Sequence, residues 1–163
     1  GKKSDVHYKN GKKEGLGTIY VPYGENNDKL IETHYKNGEK EGLETHWYIN
    51  DNKIRETHYK NGVKEGLETH WYINGNKKME THYKNGEKDG VLKEWNVLGI
   101  KTSEVHYKNG KKDGVEKGWY KDGRKRLLRH YKNGIENGIR KEWDEDGKLT
   151  YEGNFVDGGE EIK

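Results

Sequence analysis

The chain has 163 residues, 28% hydrophobic and 37% charged, with no cysteine and a formal net charge of +3. So low an apolar fraction, against roughly 45–50% in ordinary globular domains, excludes a large aliphatic centre; the missing cysteine excludes disulfides and thiolate metal sites, and the interspersed, nearly balanced charge gives no footprint for nucleic acid. High charge with few apolar residues is a signature of disorder, but 12 Tyr, 5 Trp and 1 Phe at fixed repeat positions point instead to a folded chain with a thin core built from aromatics.

Taken in chain order, the sequence is an array. The first unit starts near residue 5 and carries His7-Tyr8-Lys9-Asn10-Gly11. It also holds three extra residues within 20–29, where Tyr20 stands in place of a Trp. That insertion reads either as a capping irregularity or as a partner-binding protrusion through Tyr23, Glu25, Asn26 and Asn27. The next units start near 32, 56, 80, 104 and 128, and the His-Tyr-Lys-Asn-Gly mark returns at His34, His58, His82, His106 and His130 with a 24-residue period. A partial cap covers 150–163, where Asn154-Phe155-Val156-Asp157-Gly158 is a degenerate copy and Asp157, Glu160 and Glu161 protect an edge strand. The whole of 1–163 is expected to be one β-repeat array.

Residues 54–77 show the unit. Two stretches, 55–60 and 67–73, are rich in Thr, Tyr, Trp and Ile, which suit a pleated surface. Asn61-Gly62 and Glu65-Gly66 punctuate the first connection and Asn74-Gly75 the second, the pairs whose backbones tolerate positive φ. Each repeat is therefore two antiparallel strands with their turns. The predicted fold is all-β: an elongated, single-layer, twisted antiparallel meander of stacked β-hairpin repeats, with about 13 strands.

If strands stack without stagger, position i faces i+12. Tyr35, Trp47, Tyr59, Trp71, Tyr83, Trp95, Tyr107, Trp119, Tyr131, Trp143 and Phe155 then form one aromatic column. Alternation adds Leu43, Leu67, Val91, Val115 and Ile139 to that face and leaves Glu32, His34, Lys36, Glu44, His46 and Tyr48, with their counterparts, on a polar face.

Three groups of residues could carry chemistry. A column of His34, His46, His58, His70 and His82 could answer to pH or hold a bridged metal, but it is open and repetitive, whereas a structural metal site is closed; no metal is expected. Glu32, Glu56, Glu80 and Glu104, like Glu44, Glu68 and Glu116, repeat without singling out one catalytic pair. No nucleophile elbow, phosphate-cradling loop or cysteine nucleophile is present, so the reading is no enzyme and no cofactor. The polar-face aromatics Tyr48, Tyr72 and Tyr120, with His46, His58 and His70, are the candidate contacts for a protein partner, because Tyr is favoured at binding hot spots. Specificity should lie where copies differ, as in the change from His46 and His70 to Glu94 and Gly118.

The unit HYKNG-x-K-x-G-(L/V)-x-x-x-W-Y-x-(N/D)-G, read from residues 58–75 and 106–123, resembles the variant MORN repeat (membrane occupation and recognition nexus) found in many bacteria. Tyr59–Gly62 and Glu65–Leu67 carry the likeness, over about six and a half units of the chain. The Tyr-x-Gly-x-Trp spacing of the standard repeat is not seen here. The resemblance implies stacked hairpins in a single-layer sheet. It also implies an antitoxin or immunity protein that covers a secreted toxin, since proteins of this variant family often carry those labels. A cell-envelope carbohydrate or lipid binder and a purely architectural scaffold are the alternatives. No nucleic acid and no membrane partner is expected, and no apolar run approaches the ~20 residues of a membrane span. The compartment stays open between the cytoplasm and export after removal of a leader.

Overall fold

The computed structural model describes residues 4–22, 27–48 and 50–161. Tyr23, Glu25 and Asn26 of the expected protrusion lie outside these residues, whereas Asn27 opens a strand. The chain divides into two compact units, residues 1–76 with 83–86 and residues 77–82 with 87–163. The first unit contains β1 (Ser4–Lys9), β2 (Lys12–Pro22), β3 (Asn27–Lys36), β4 (Glu39–Trp47), β5 (Lys53–Lys60) and β6 (Val63–Trp71), each antiparallel to its neighbours in sequence. The later strands are β7 (Lys77–Lys84), β8 (Glu87–Lys88), β9 (Gly90–Trp95), β10 (Lys101–Lys108), β11 (Lys111–Trp119), β12 (Lys125–Lys132), β13 (Ile135–Glu136), β14 (Gly138–Trp143), β15 (Leu149–Val156) and β16 (Gly159–Glu160). In the second unit the order runs β7-β9-β10-β11-β12-β14-β15-β16, with β13 beside β12. The all-β antiparallel meander expected from the repeats is the architecture of the protein. Sixteen strand segments are described where about 13 were expected. Part of the difference is that breaks at Asp89 and Asn137 split β8 from β9 and β13 from β14.

The tight turns are where the sequence places them. Asn61 and Gly62 have φ of 49° and 79°, and Asn37, Asn85, Asn109 and Asn133 with their glycines repeat the pattern. Two consecutive positive φ values define the turn that matches strand twist. The other connections close by a bond from the Gly N–H to a carbonyl three residues earlier, as in Gly75 to Tyr72 at 2.9 Å. Gly75, Gly99, Gly123 and Gly147 take φ between 83° and 90° there, but the matching position in the first of these turns is Asp51, at φ 62°. An L side chain is strained in that region. Asp51→Gly is therefore expected to raise stability by about 0.5–1 kcal/mol, read as a small increase in the urea midpoint at unchanged m.

Glu65-Gly66 proves not to be a turn. It lies inside β6, where the register shifts between Thr57 and Tyr59, and Gly66 has φ 94°. The Glu65 carboxylate reaches forward and accepts the N–H of Asn85 at 2.7 Å, while Gly86 donates to the Lys64 carbonyl at 2.9 Å. Glu41 does the same for Asn61, and Asp89 and Asp113 for Asn109 and Asn133. One repeat thus caps the turn of the next.

The single aromatic column does not form. Antiparallel pairing reflects a strand, so Tyr59 faces Gly42 and Lys64, and Trp47 faces Lys53. Thr33, Glu44, Thr57 and Glu68 are successive cross-strand partners, as are Glu32, Thr45, Glu56 and Thr69. Partners share a face and neighbours in a strand alternate. The first row therefore lies on the face of Tyr35 and Tyr59. The second lies on the opposite face, with Leu43 and His58, which pair with each other. The buried line is polar in the first unit, with Thr57 fully buried and Glu44 and Glu68 at 3% exposure. In the second unit the partners Leu92 and Val105 are buried at that place. Ile139, expected on an apolar face, is exposed.

Candidate functional site

The first unit concentrates its charge on the Tyr35–Tyr59 face. Thr33 Oγ1 donates to Glu44 Oε2 at 3.0 Å, and Lys40 binds the same oxygen. On the other oxygen, Oε1, Arg55 Nη2 donates at 3.1 Å and His46 Nε2 stands at 3.0 Å, while Arg55 Nη2 also lies within donating distance of His46 Nε2, at 2.8 Å. One repeat later, Thr57 donates to Glu68 at 3.0 Å, Lys64 at 2.5 Å and His70 at 3.0 Å. Burial opposes ionisation of these two carboxyls, but the bonds from histidine, lysine and threonine outweigh it and hold Glu44 and Glu68 at about 2. Burial likewise opposes the charge of Lys40 and Lys64, and pairing with the glutamates raises both above the usual lysine value.

The lysines do a second thing. Lys13 lies 4.8 Å over the Tyr35 ring, Lys40 4.7 Å over Tyr59 and Lys64 4.6 Å over Tyr83, a ladder of cations on rings along this face. Beside it, Arg55 is the cross-strand partner of both His46 and His70. Cross-strand partners have Cβ atoms about 5 Å apart, so His46, Arg55 and His70 form a basic row abreast on β4, β5 and β6. The same row in the second unit reads Met79, Glu94, Ser103, Gly118, Leu127, Glu142. The change from His46 and His70 to Glu94 and Gly118 therefore falls at the equivalent row position of the two units.

Of the six predicted contacts, the structure brings His46 and His70 together and separates the rest. His58 lies on the opposite face, exposed, with Nδ1–H donating to the Leu67 carbonyl at 2.9 Å; its Cβ packs 3.7 Å from where a Cβ on Gly66 would sit. The histidine column is thus split by the antiparallel register, and its alternate members support the bulge. Among the described residues no group of three or more His, Asp or Glu could hold a metal ion. Tyr48, Tyr72 and Tyr120 sit at the ends of strands, where their N–H groups bond to the carbonyls of Asn52, Asn76 and Arg124 at 2.8 Å. The hydroxyls of Tyr48 and Tyr120 donate to the carbonyls of Trp71 and Trp143 at 3.4 and 2.7 Å. Tyr48 and Tyr120 thus tie one repeat to the next at the strand ends. Asn27 is in β3 opposite Pro22.

Arg55 went unrecognised in the sequence. Its signal was available: the equivalent positions hold Ile31, Met79, Ser103 and Leu127, so it is the odd residue at its place.

Two segments, 64–85 and 136–157, match the family described as MORN repeat variant. They begin 72 residues apart (136 − 64), three of the 24-residue periods. MORN repeats are generally protein- or membrane-binding modules, and their all-β repeat fold is not typical of enzymes. Comparison with curated proteins gives no match. Among the described residues no helix is long and apolar enough to cross a membrane.

Proposed function

We propose that this chain is a non-enzymatic protein-binding module, of the immunity or antitoxin kind, that neutralises a toxin by covering it. The observation that carries the reading is the row His46–Arg55–His70, held in place by two buried carboxylates on an otherwise solvent-facing sheet. Side chains fixed before binding lose little entropy on association, and Arg is favoured at hot spots. The row is basic, so the matching surface on the partner is acidic. Tyr48, Tyr72 and Tyr120 add edge contacts, and His58 belongs to the scaffold of the other face.

The test is co-expression with the product of a neighbouring gene, followed by co-purification and rescue of growth. Arg55→Ala is expected to weaken the complex by about 10–30-fold, and His58→Ala by less than threefold. Full affinity in Arg55→Ala, with folding intact by circular dichroism, removes the basic row from the interface. Growth inhibition that co-expression does not relieve removes the antitoxin role.

A further inference from the structure

At Lys53, Lys101 and Lys125 a lysine bridges successive tryptophans. Lys53 is the cross-strand partner of Trp47 and lies 5.7 Å over Trp71; Lys101 is the partner of Trp95 and lies 4.5 Å over Trp119. Lys77 lies 5.9 Å over Trp95. In these three repeats a glutamate three residues on fixes the ammonium: Lys53 to Glu56, Lys77 to Glu80 at 2.6 Å, Lys101 to Glu104 at 2.8 Å. The fourth repeat breaks the rule. Lys125 is the partner of Trp119 and lies 5.9 Å over Trp143, but the position of the glutamate is Leu128. Among the described residues Lys125 has no carboxylate partner.

A cavity of about 300 Å³ opens at this place, lined by Trp119, Trp143, Leu127, Leu128, Gly118, Lys117 and Lys125. A Cβ on Gly118 would stand 2.9 Å from Leu127 Cγ, so a side chain there obliges Leu127 to shift. Lys117, the cross-strand partner of Leu128, meets Glu104 only at 3.8 Å. Two indoles and a leucine therefore frame an apolar slot with ammonium groups at its side, and the other repeats show what completes it: a carboxylate on the lysine.

We infer that the slot between Trp119 and Trp143 receives an aromatic side chain of a partner polypeptide, with an adjacent acidic side chain pairing Lys125. The volume, at the small end of ligand pockets, suits one side chain better than a whole cofactor, and tryptophan walls favour an aromatic ring. This second contact shares no residue with the Arg55 row and rests on the same protein-binding reading, so its failure leaves the basic row untouched.

Titration of the full chain with the peptide acetyl-Gly-Phe-Glu-Gly-amide, followed by the indole N–H resonances of Trp119 and Trp143, tests it. Both resonances shift at millimolar peptide, the Gln analogue binds about fivefold more weakly, and Leu128→Glu, which restores the pair of the other repeats, abolishes the shifts while the rest of the spectrum is kept. Unmoved indole signals, equal affinity of the Glu and Gln peptides, or shifts retained in Leu128→Glu overturn the site. Tighter binding of free 3-phenylpropionate than of the peptide overturns the assignment to a polypeptide.

Discussion

Glu44→Ala is expected to lower the unfolding free energy by about 2–3 kcal/mol. The carboxylate is 3% exposed and gathers Thr33, Lys40, His46 and Arg55, and its removal leaves those donors crowded without their anion. Lys40 and Arg55 are in part open to water, which softens the loss below that of a fully enclosed pair. Glu68→Ala is expected to cost somewhat less, because among the described residues its partners are Thr57, Lys64 and His70, one cation fewer than around Glu44.

The pH dependence follows from the same geometry. Both glutamates titrate at about 2 in the folded chain against an ordinary value of 4.5. A carboxyl depressed on folding binds fewer protons in the native state, so its stabilisation is complete above the unfolded value. It is lost as pH falls from about 5 toward 2. Urea midpoints should therefore drop over that window in the native chain. Glu44→Gln with Glu68→Gln should start from a lower midpoint at pH 7 and show a shallower acid decline.

Gly114→Ala is expected to cost about 2–4 kcal/mol. Gly114 has φ 107°, and an added Cβ would stand 3.1 Å from the Cβ of His106 and 3.5 Å from Cγ. Backbone strain and overpacking act together there. Gly75→Ala separates them: φ is 85° and nothing lies within 4 Å of the added Cβ, so it bears backbone strain alone, about 1–2 kcal/mol. Equal losses in the two variants would show that the histidine does not press on the bulge.

The Asn-Gly turns were legible because positive φ at two successive residues is a local requirement that few residue types meet. The all-β meander was legible because the period and the strand-forming residues agree. The faces were not. An i+12 rule treats neighbouring strands as parallel copies, whereas Tyr59 faces Gly42 and Lys64. The irregularity at Gly42 and Gly66, which looks in sequence like a second turn, is a bulge inside a strand. Alternation puts Glu44 and its counterparts on a polar face, yet Thr57 and Glu68 are buried partners. Burial of a charged residue becomes visible only once its counter-ions are placed from other strands. Arg55 could be found only by asking which copy departs from the others, and the same question picks out Gly118 and Leu128.

The basic row stands on two buried, ionised carboxylates. Carbon-13 NMR titration of the Glu44 and Glu68 carboxyls tests that organisation most directly. Midpoints near 2 are expected for both, with loss of the dispersed Arg55 and His46 signals as the carboxyls protonate. Midpoints near the ordinary 4.5, with those signals unchanged through the transition, would contradict it.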